Sequence, residues 1–266
     1  MNALQVQSEK PPLQPDIIFS VGPVPITNVF LMSWLVIILL TLFAILVKRR
    51  LRLVPGKLQL VAEVIVETMS DMIHQILNSK RGTTLLLPII GTLFLFIIFS
   101  NLLGLIIPGL GALTYNGIAV FRTPTTDFNM TIALTVAMSV LTHIMSIVSS
   151  GIFSHIGKFL PFHKVIQGFR TSIKDGFMSL VDVFIGVMDI ISEFAKLVSL
   201  SMRLFGNLYA GEVMMGILYG LIGTVIPAVW LGMSLLSGTV QAVVFSMLTT
   251  VFYSLMVAQL PERDEQ

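Results

Sequence analysis

Long runs of apolar residues constrain this sequence most, because few folds can accommodate them. An α-helix needs about 20 apolar residues to cross the hydrocarbon core of a bilayer. Mainly apolar runs cover residues 28–47, 84–107, 130–153, 177–222 and 224–260. Only 11% of the residues are charged, against about 25% in an average soluble domain. The sequence therefore predicts an all-α integral membrane protein with five membrane-embedded helices. The last two exceed the length that a perpendicular span needs, so we expect strongly tilted or partly horizontal helices.

Residues 58–78 differ from these runs and predict one amphipathic helix. Apolar side chains recur there with a period near 3.6, and acidic side chains such as Glu63 and Glu67 stand between them. Such a helix can lie on the membrane surface or pack against the protein's own spans, and the pattern favours neither. Residues 1–25 are polar and rich in proline. We expect this N-terminal segment to lie outside the membrane and residues 26–266 to form a single membrane domain.

The basic residues predict the orientation of the chain. Residues 48–82 hold seven lysines and arginines and residues 153–175 hold four, whereas the alternate loops hold one each, Lys10 and Arg122. Cytoplasmic loops carry an excess of lysine and arginine. The pattern predicts an N-terminus outside and a C-terminus in the cytoplasm. The five-span topology, with no transit peptide recognised, favours a multi-pass protein of the bacterial inner membrane, and an organelle-encoded origin stays open.

The composition argues against several kinds of function. The chain has no cysteine, so thiolate metal sites and disulfides are excluded. Its four histidines lack metal-ligand spacing, and we expect neither a metal site nor a cofactor. The net charge of +2 is too small to indicate a nucleic-acid partner. The lipid bilayer is the predicted environment of the chain.

A stripe of polar residues interrupts the fourth apolar run. At 100° per residue its members fall within an arc of roughly 80° on one helix face. They are Asp182, Asp189, Glu193, Lys196, Arg203 and Asn207. Such a stripe must face a water-filled cavity or another subunit, because a charge at the bilayer centre costs roughly 2.5–3.5 kcal/mol.

Arg203 is the most informative member of the stripe, because a guanidinium cannot lose its proton inside the membrane. Its nearest acid on the same face, Glu193, is ten residues away. Glu193 and Lys196 can serve an ion path or form a structural ion pair, and their spacing allows both. Glu212 lies nine residues beyond Arg203, on the opposite side of an ideal helix. The arrangement predicts two polar spaces at different depths, separated by a permanent cation.

Four segments carry a family resemblance. SLSMRLFGNLYAGE over residues 199–212 resembles the arginine motif of subunit a of F-type ATP synthase. FSNLLGLIIP over residues 99–108, PTTDFNMT over residues 124–131, and Gln241 with the residues after it resemble three further motifs of that family, in the same order. The resemblance extends over about residues 26–260.

The resemblance implies a fold, partners and a role for each matching residue. The fold is one span, a surface helix, two further spans and a tilted hairpin beside a rotating ring of c subunits. The other partners are b-type subunits of the peripheral stalk. Arg203 matches the essential arginine that faces the ring. The remaining positions are Asn101, Asn207, Glu212, Gln241 and Ser234 for the outer half-channel, Asp189, Glu193 and Asp182 for the cytoplasmic half-channel, and Asp127 and Asn129 for the outer mouth.

The implied function is ion translocation, with H⁺ as the expected coupling ion and no catalysis of ATP chemistry by this chain. Ser234 departs from the pattern, because some members have a histidine there, and a hydroxyl with water would have to replace it. Two other functions stay open at this point. One is a secondary transporter with a substrate site at Arg203, although the internal repeats typical of that class are not evident. The other is a structural scaffold whose charges serve assembly.

Overall fold

A computed structural model describes residues 15–109, 114–115, 118–152, 173–221 and 225–258. Six α-helices form most of the described part of the chain. They are α1 (Asn28–Arg49), α2 (Lys57–Leu77), α3 (Lys80–Gly109), α4 (Phe128–Ser150), α5 (Ile173–Leu221) and α6 (Val225–Ala258). Five of the helices overlap the five apolar runs and α2 overlaps the amphipathic segment 58–78, so the prediction of a helical membrane protein is confirmed.

Four of these helices are long and apolar enough to cross a membrane: Asn28–Arg49, Lys80–Ile106, Phe128–Val148 and Val229–Met256. The 49-residue α5 carries the polar stripe and is not among them. A fifth embedded helix and the tilt of the final hairpin therefore remain predictions.

The described chain also contains short strands that the sequence analysis did not predict. The strands β1 (Ile17–Val21) and β2 (Val24–Thr27) form an antiparallel hairpin directly before α1. Gly22 occupies its turn with a positive φ of 62°, which glycine adopts without steric cost. The strands β3 (Thr114–Tyr115) and β4 (Ile118–Ala119) pair in the segment between α3 and α4.

The chain divides into two compact units. The first comprises Met1–Thr131 with Ser201–Leu248, and the second comprises Ile132–Leu200 with Thr249–Gln266. Fully buried apolar side chains of the first unit come from five helices: Met32 and Val36 of α1, Ile73 of α2, Ile90 and Ile97 of α3, Leu204 of α5 and Phe245 of α6. In the second unit the buried set comprises Met138, Leu200, Tyr253 and Met256.

Candidate functional site

Arg203 lies on an uncovered face of α5 in the first unit. Its side chain is exposed, while that of the next residue, Leu204, is completely buried. The exposed face continues through Gly206, Asn207 and Ala210, at the three- and four-residue steps of one helix face. Within the described residues the Arg203 guanidinium has no hydrogen bond or ion pair. The small residues beside it leave room for another backbone to approach closely.

Glu212 is held by an arginine from another part of the first unit. Arg122 Nε lies 3.3 Å from Glu212 Oε1, and Arg122 Nη2 donates to Glu212 Oε2 at 3.4 Å. Arg122 retains 6% of its side-chain exposure and Glu212 retains 32%. The Nη2 contact is the hydrogen bond of this pair, and the Nε approach adds a second close contact of opposite charges.

The loop that carries Arg122 is itself anchored to α3. Thr125 Oγ1 donates to Asn101 Oδ1 at 2.6 Å, and Asn101 Nδ2 donates to the carbonyl of Gly238 on α6 at 3.1 Å. A Cβ at Gly104 would stand 1.9 Å from Thr123 Oγ1, so only glycine allows the loop to lie this close. Asn101 is therefore a buried link between the loop, α3 and α6.

Polar atoms of α6 complete the site in the first unit. Gln241 is buried, and no described residue offers a hydrogen-bond partner to its Nε2. Ser100 Oγ on α3 is also buried and has no hydrogen-bond partner among the described residues. Asn207 accepts a hydrogen bond from Ser237 Oγ at 3.0 Å, and the neighbouring Ser234 is half-buried. Buried polar groups without a protein partner are usually hydrogen-bonded to water.

The second unit holds the other acidic residues of the stripe. Glu193 and Lys196 form an ion pair, with 2.8 Å between Lys196 Nζ and Glu193 Oε1. The same ammonium lies 5.2 Å from the centre of the Phe252 ring, within the range of a cation–π contact. Asp189 is half-buried and has no polar partner among the described residues.

A small cavity of about 20 Å³ adjoins this pair. Its polar lining is Thr135, Ser139 and Thr142 of α4, Glu193 and Lys196 of α5, and Thr249 of α6. The volume suffices for about one water molecule, and the hydroxyls supply hydrogen-bond partners for it. The apolar side chains of Met138, Leu197, Leu200 and Phe252 form the rest of its lining, so the second unit contains a small cavity of mixed polarity between its own helices.

Three residues that the sequence predicted for the site remain: Asp127, Asn129 and Asp182. Asp127 is buried, and its Oδ1 accepts from the backbone N–H of Asn129 at 3.1 Å. That contact caps the N-terminus of α4. Asn129 itself is exposed. Asp182 belongs to α5, but its side chain lies outside the described residues.

Sequence reasoning missed Arg122 as a site residue and counted it only as a loop charge. Its signal was an isolated cation directly before the PTTD segment, in a stretch with no other basic residue. Its partner Glu212 lies 90 residues further along, and no local spacing indicates such a pair. Nothing in the sequence around Ser100 indicated that it belongs to the site.

The fold and these residues define a class of protein. A multi-helix membrane protein that carries an exposed cation, acids and a buried glutamine on its final two helices is typical of proteins that move ions or charged substrates. Comparison with known proteins then identifies the family. The family of the ATP synthase A chain matches residues 30–254. This chain belongs to that family, so it is a non-catalytic, ion-translocating membrane subunit of the Fo sector.

Individual relatives agree with this assignment. ATP synthase subunit a of Desulforamulus reducens is 35% identical, over 86% of this chain and 78% of the relative. The subunit a of Moorella thermoacetica is 31% identical over 90% of this chain and 95% of the relative. That of Geotalea daltonii is 33% identical over 83% of each.

Proposed function

We propose that this chain provides two offset half-channels that load and unload a carboxylate on a rotating c-ring, with Arg203 as the gate between them. The observation that carries the proposal is the exposed Arg203 guanidinium, which has no partner among the described residues and stands on a face with Gly206 and Ala210. A lone cation in an apolar protein needs an anion from elsewhere. A ring carboxylate supplies one, and the small residues allow the ring helix to approach.

The outer half-channel in this proposal runs through the first unit. Its polar groups are Asn101, Asn207, Glu212, Ser234 and Gln241, with Asp127 and Asn129 near its mouth. The unpartnered Nε2 of buried Gln241 supports the assignment, because it offers a site for a water molecule inside the protein. Glu212 is paired with Arg122 and still retains 32% of its side-chain exposure, so its carboxylate can accept hydrogen bonds from water along the path.

The cytoplasmic half-channel runs through the second unit past Asp189, Glu193 and Asp182. Asp189 carries the main role, because its half-buried carboxylate has no cation of its own among the described residues. Glu193 is already paired with Lys196. The Glu193–Lys196 pair therefore lines the hydrated path, and Asp189 is the group that takes part in ion release.

The gate works by electrostatics. A ring carboxylate that has bound H⁺ is neutral and can rotate through lipid at far lower cost than a charged one. When the carboxylate has lost its ion, Arg203 attracts it and holds the ring at the boundary between the two paths. The same charge repels a cation that would pass directly between the half-channels. A proton moved by 100 mV carries about 2.3 kcal/mol, so a leak at this point would dissipate the gradient.

The proposal also covers the partner subunits and the membrane location of the chain. Its partners are the c-ring and the b-type subunits of the peripheral stalk. The complex lies in a bacterial inner membrane, with the N-terminus outside and the C-terminus in the cytoplasm, as the distribution of basic loops favours.

Accessibility from each side of the membrane tests the two half-channels. The chain has no native cysteine, so this subunit offers a clean background for Gln241→Cys and Asp189→Cys within the assembled complex. An impermeant thiol reagent should modify Gln241→Cys only from the outer side and Asp189→Cys only from the cytoplasmic side. The control is Leu42→Cys, since Leu42 is half-exposed on the apolar α1 and should stay unmodified from both sides. Equal modification of either test position from both sides would contradict the offset arrangement.

A further inference from the structure

The short segment Arg50–Gly56 between α1 and α2 presents apolar side chains that nothing in the first unit covers. Leu53 is fully exposed, Val54 retains 82% of its accessible surface and Leu51 retains 60%. Because α1 is long enough to span the membrane and ends at Arg49, the segment follows directly after a span. It therefore lies at the level where hydrocarbon meets lipid headgroups.

The same segment is strongly basic. Its exposed cations, together with those of the flanking helix ends, are Lys48, Arg49, Arg50, Arg52 and Lys57. No acidic residue occurs from residue 48 until Glu63. Apolar and cationic side chains thus alternate over a few residues, which is the composition that binds an anionic lipid surface.

A buried glutamine fixes the conformation of this segment. Gln59, which is 6% exposed, accepts from the backbone N–H of Arg52 at 3.0 Å through Oε1. Its Nε2 donates to the Arg52 carbonyl at 3.0 Å and to Glu63 Oε1 at 2.8 Å. Both backbone groups of Arg52 are satisfied by one side chain, so the segment is held in place with its apolar residues outward.

We propose that Arg50–Gly56 is a built anchor for anionic phospholipid. Leu51, Leu53 and Val54 insert at the boundary of the hydrocarbon core, and the arginines on either side of Leu51 bind headgroup phosphates. Gln59 is the clamp that presents both sets together. The anchor fixes the depth of α1 and α2 at the membrane surface, and it is independent of the ion path.

Quenching by brominated lipids tests the anchor in the full complex reconstituted into vesicles. Leu53→Trp places an indole at the tip of the segment. Its fluorescence is obtained by subtracting the fluorescence of the wild-type complex. Brominated phosphatidylglycerol should quench this indole in preference to brominated phosphatidylcholine. Neutralising two cations in Arg50→Gln/Arg52→Gln should reduce that preference by up to about 30-fold, since each basic residue near an anionic surface contributes about fivefold. Gln59→Ala, which keeps every charge, should also reduce it.

A matched control separates headgroup binding from simple lipid contact. Leu42→Trp, in the middle of α1, should be quenched equally by both lipids. Equal quenching of Leu53→Trp by both lipids would overturn the proposal, because the tip would then touch lipid without selecting anionic headgroups. Protection of Leu53→Trp from both quenchers would also overturn it and would indicate that a protein subunit covers the segment.

Discussion

The ion pair between Arg122 and Glu212 gives the sharpest quantitative prediction. Two unit charges 3.3 Å apart attract by about 5 kcal/mol at an effective dielectric of 20. Glu212 retains 32% of its side-chain exposure, so we discount this attraction for screening. We expect a coupling free energy of about 1–3 kcal/mol, within the range measured for contacting residues. Glu212→Gln alone should be clearly destabilising, because it leaves a buried guanidinium without its carboxylate.

A double-mutant cycle measures this coupling. The free energy of unfolding would be determined by detergent titration for wild type, Arg122→Gln, Glu212→Gln and the double variant. The double variant should lose about 1–3 kcal/mol less than the sum of the two single variants. The charge-exchanged variant Arg122→Glu/Glu212→Arg should be more stable than either single reversal. Additive losses, with no recovery on exchange, would refute the reasoning that the pair fixes Glu212.

Two further predictions concern packing and the second ion pair. Gly104→Val should lower the free energy of unfolding by about 1–3 kcal/mol, because the added atoms overlap Thr123. The control Gly91→Val on the same helix meets open space at Cβ and should change the same detergent-unfolding free energy by less than about 1 kcal/mol. Neutralising both members of the second pair, in Glu193→Gln/Lys196→Met, should leave ATP-driven pumping largely intact. Abolished pumping in correctly assembled complexes would instead assign Glu193 to ion release.

The helices were predictable because long apolar runs have few alternatives in a membrane. The fourth apolar run, residues 177–222, was predictable in part. Its polar stripe indicated a functional helix and singled out Arg203, since a cation without a nearby acid has no local structural explanation. The same reasoning could not determine what the stripe faces. Glu193 pairs with Lys196 as one alternative predicted, while Arg203 stays open to solvent or a partner.

Contacts between distant segments were not predictable from spacing. Asn101 was recognised through its motif, but its hydrogen bonds to Thr125 and Gly238 depend on how three parts of the chain pack. The role of Gly104 likewise becomes clear only when Thr123 is placed beside it. The hairpin of β1 and β2 was missed because its short strands lie in a proline-rich segment that suggested no regular structure.

The most direct test of the gate is ATP-driven acidification of inverted vesicles that carry Arg203→Ala, measured beside the passive proton leak of the same vesicles. Assembly of each complex would be checked by co-purification of the ring, and sodium would be varied to identify the coupling ion. The account predicts an assembled complex that no longer pumps and whose passive leak is increased, because the barrier between the two half-channels has been removed. Pumping at the wild-type rate in the assembled variant would show that Arg203 is not the gate.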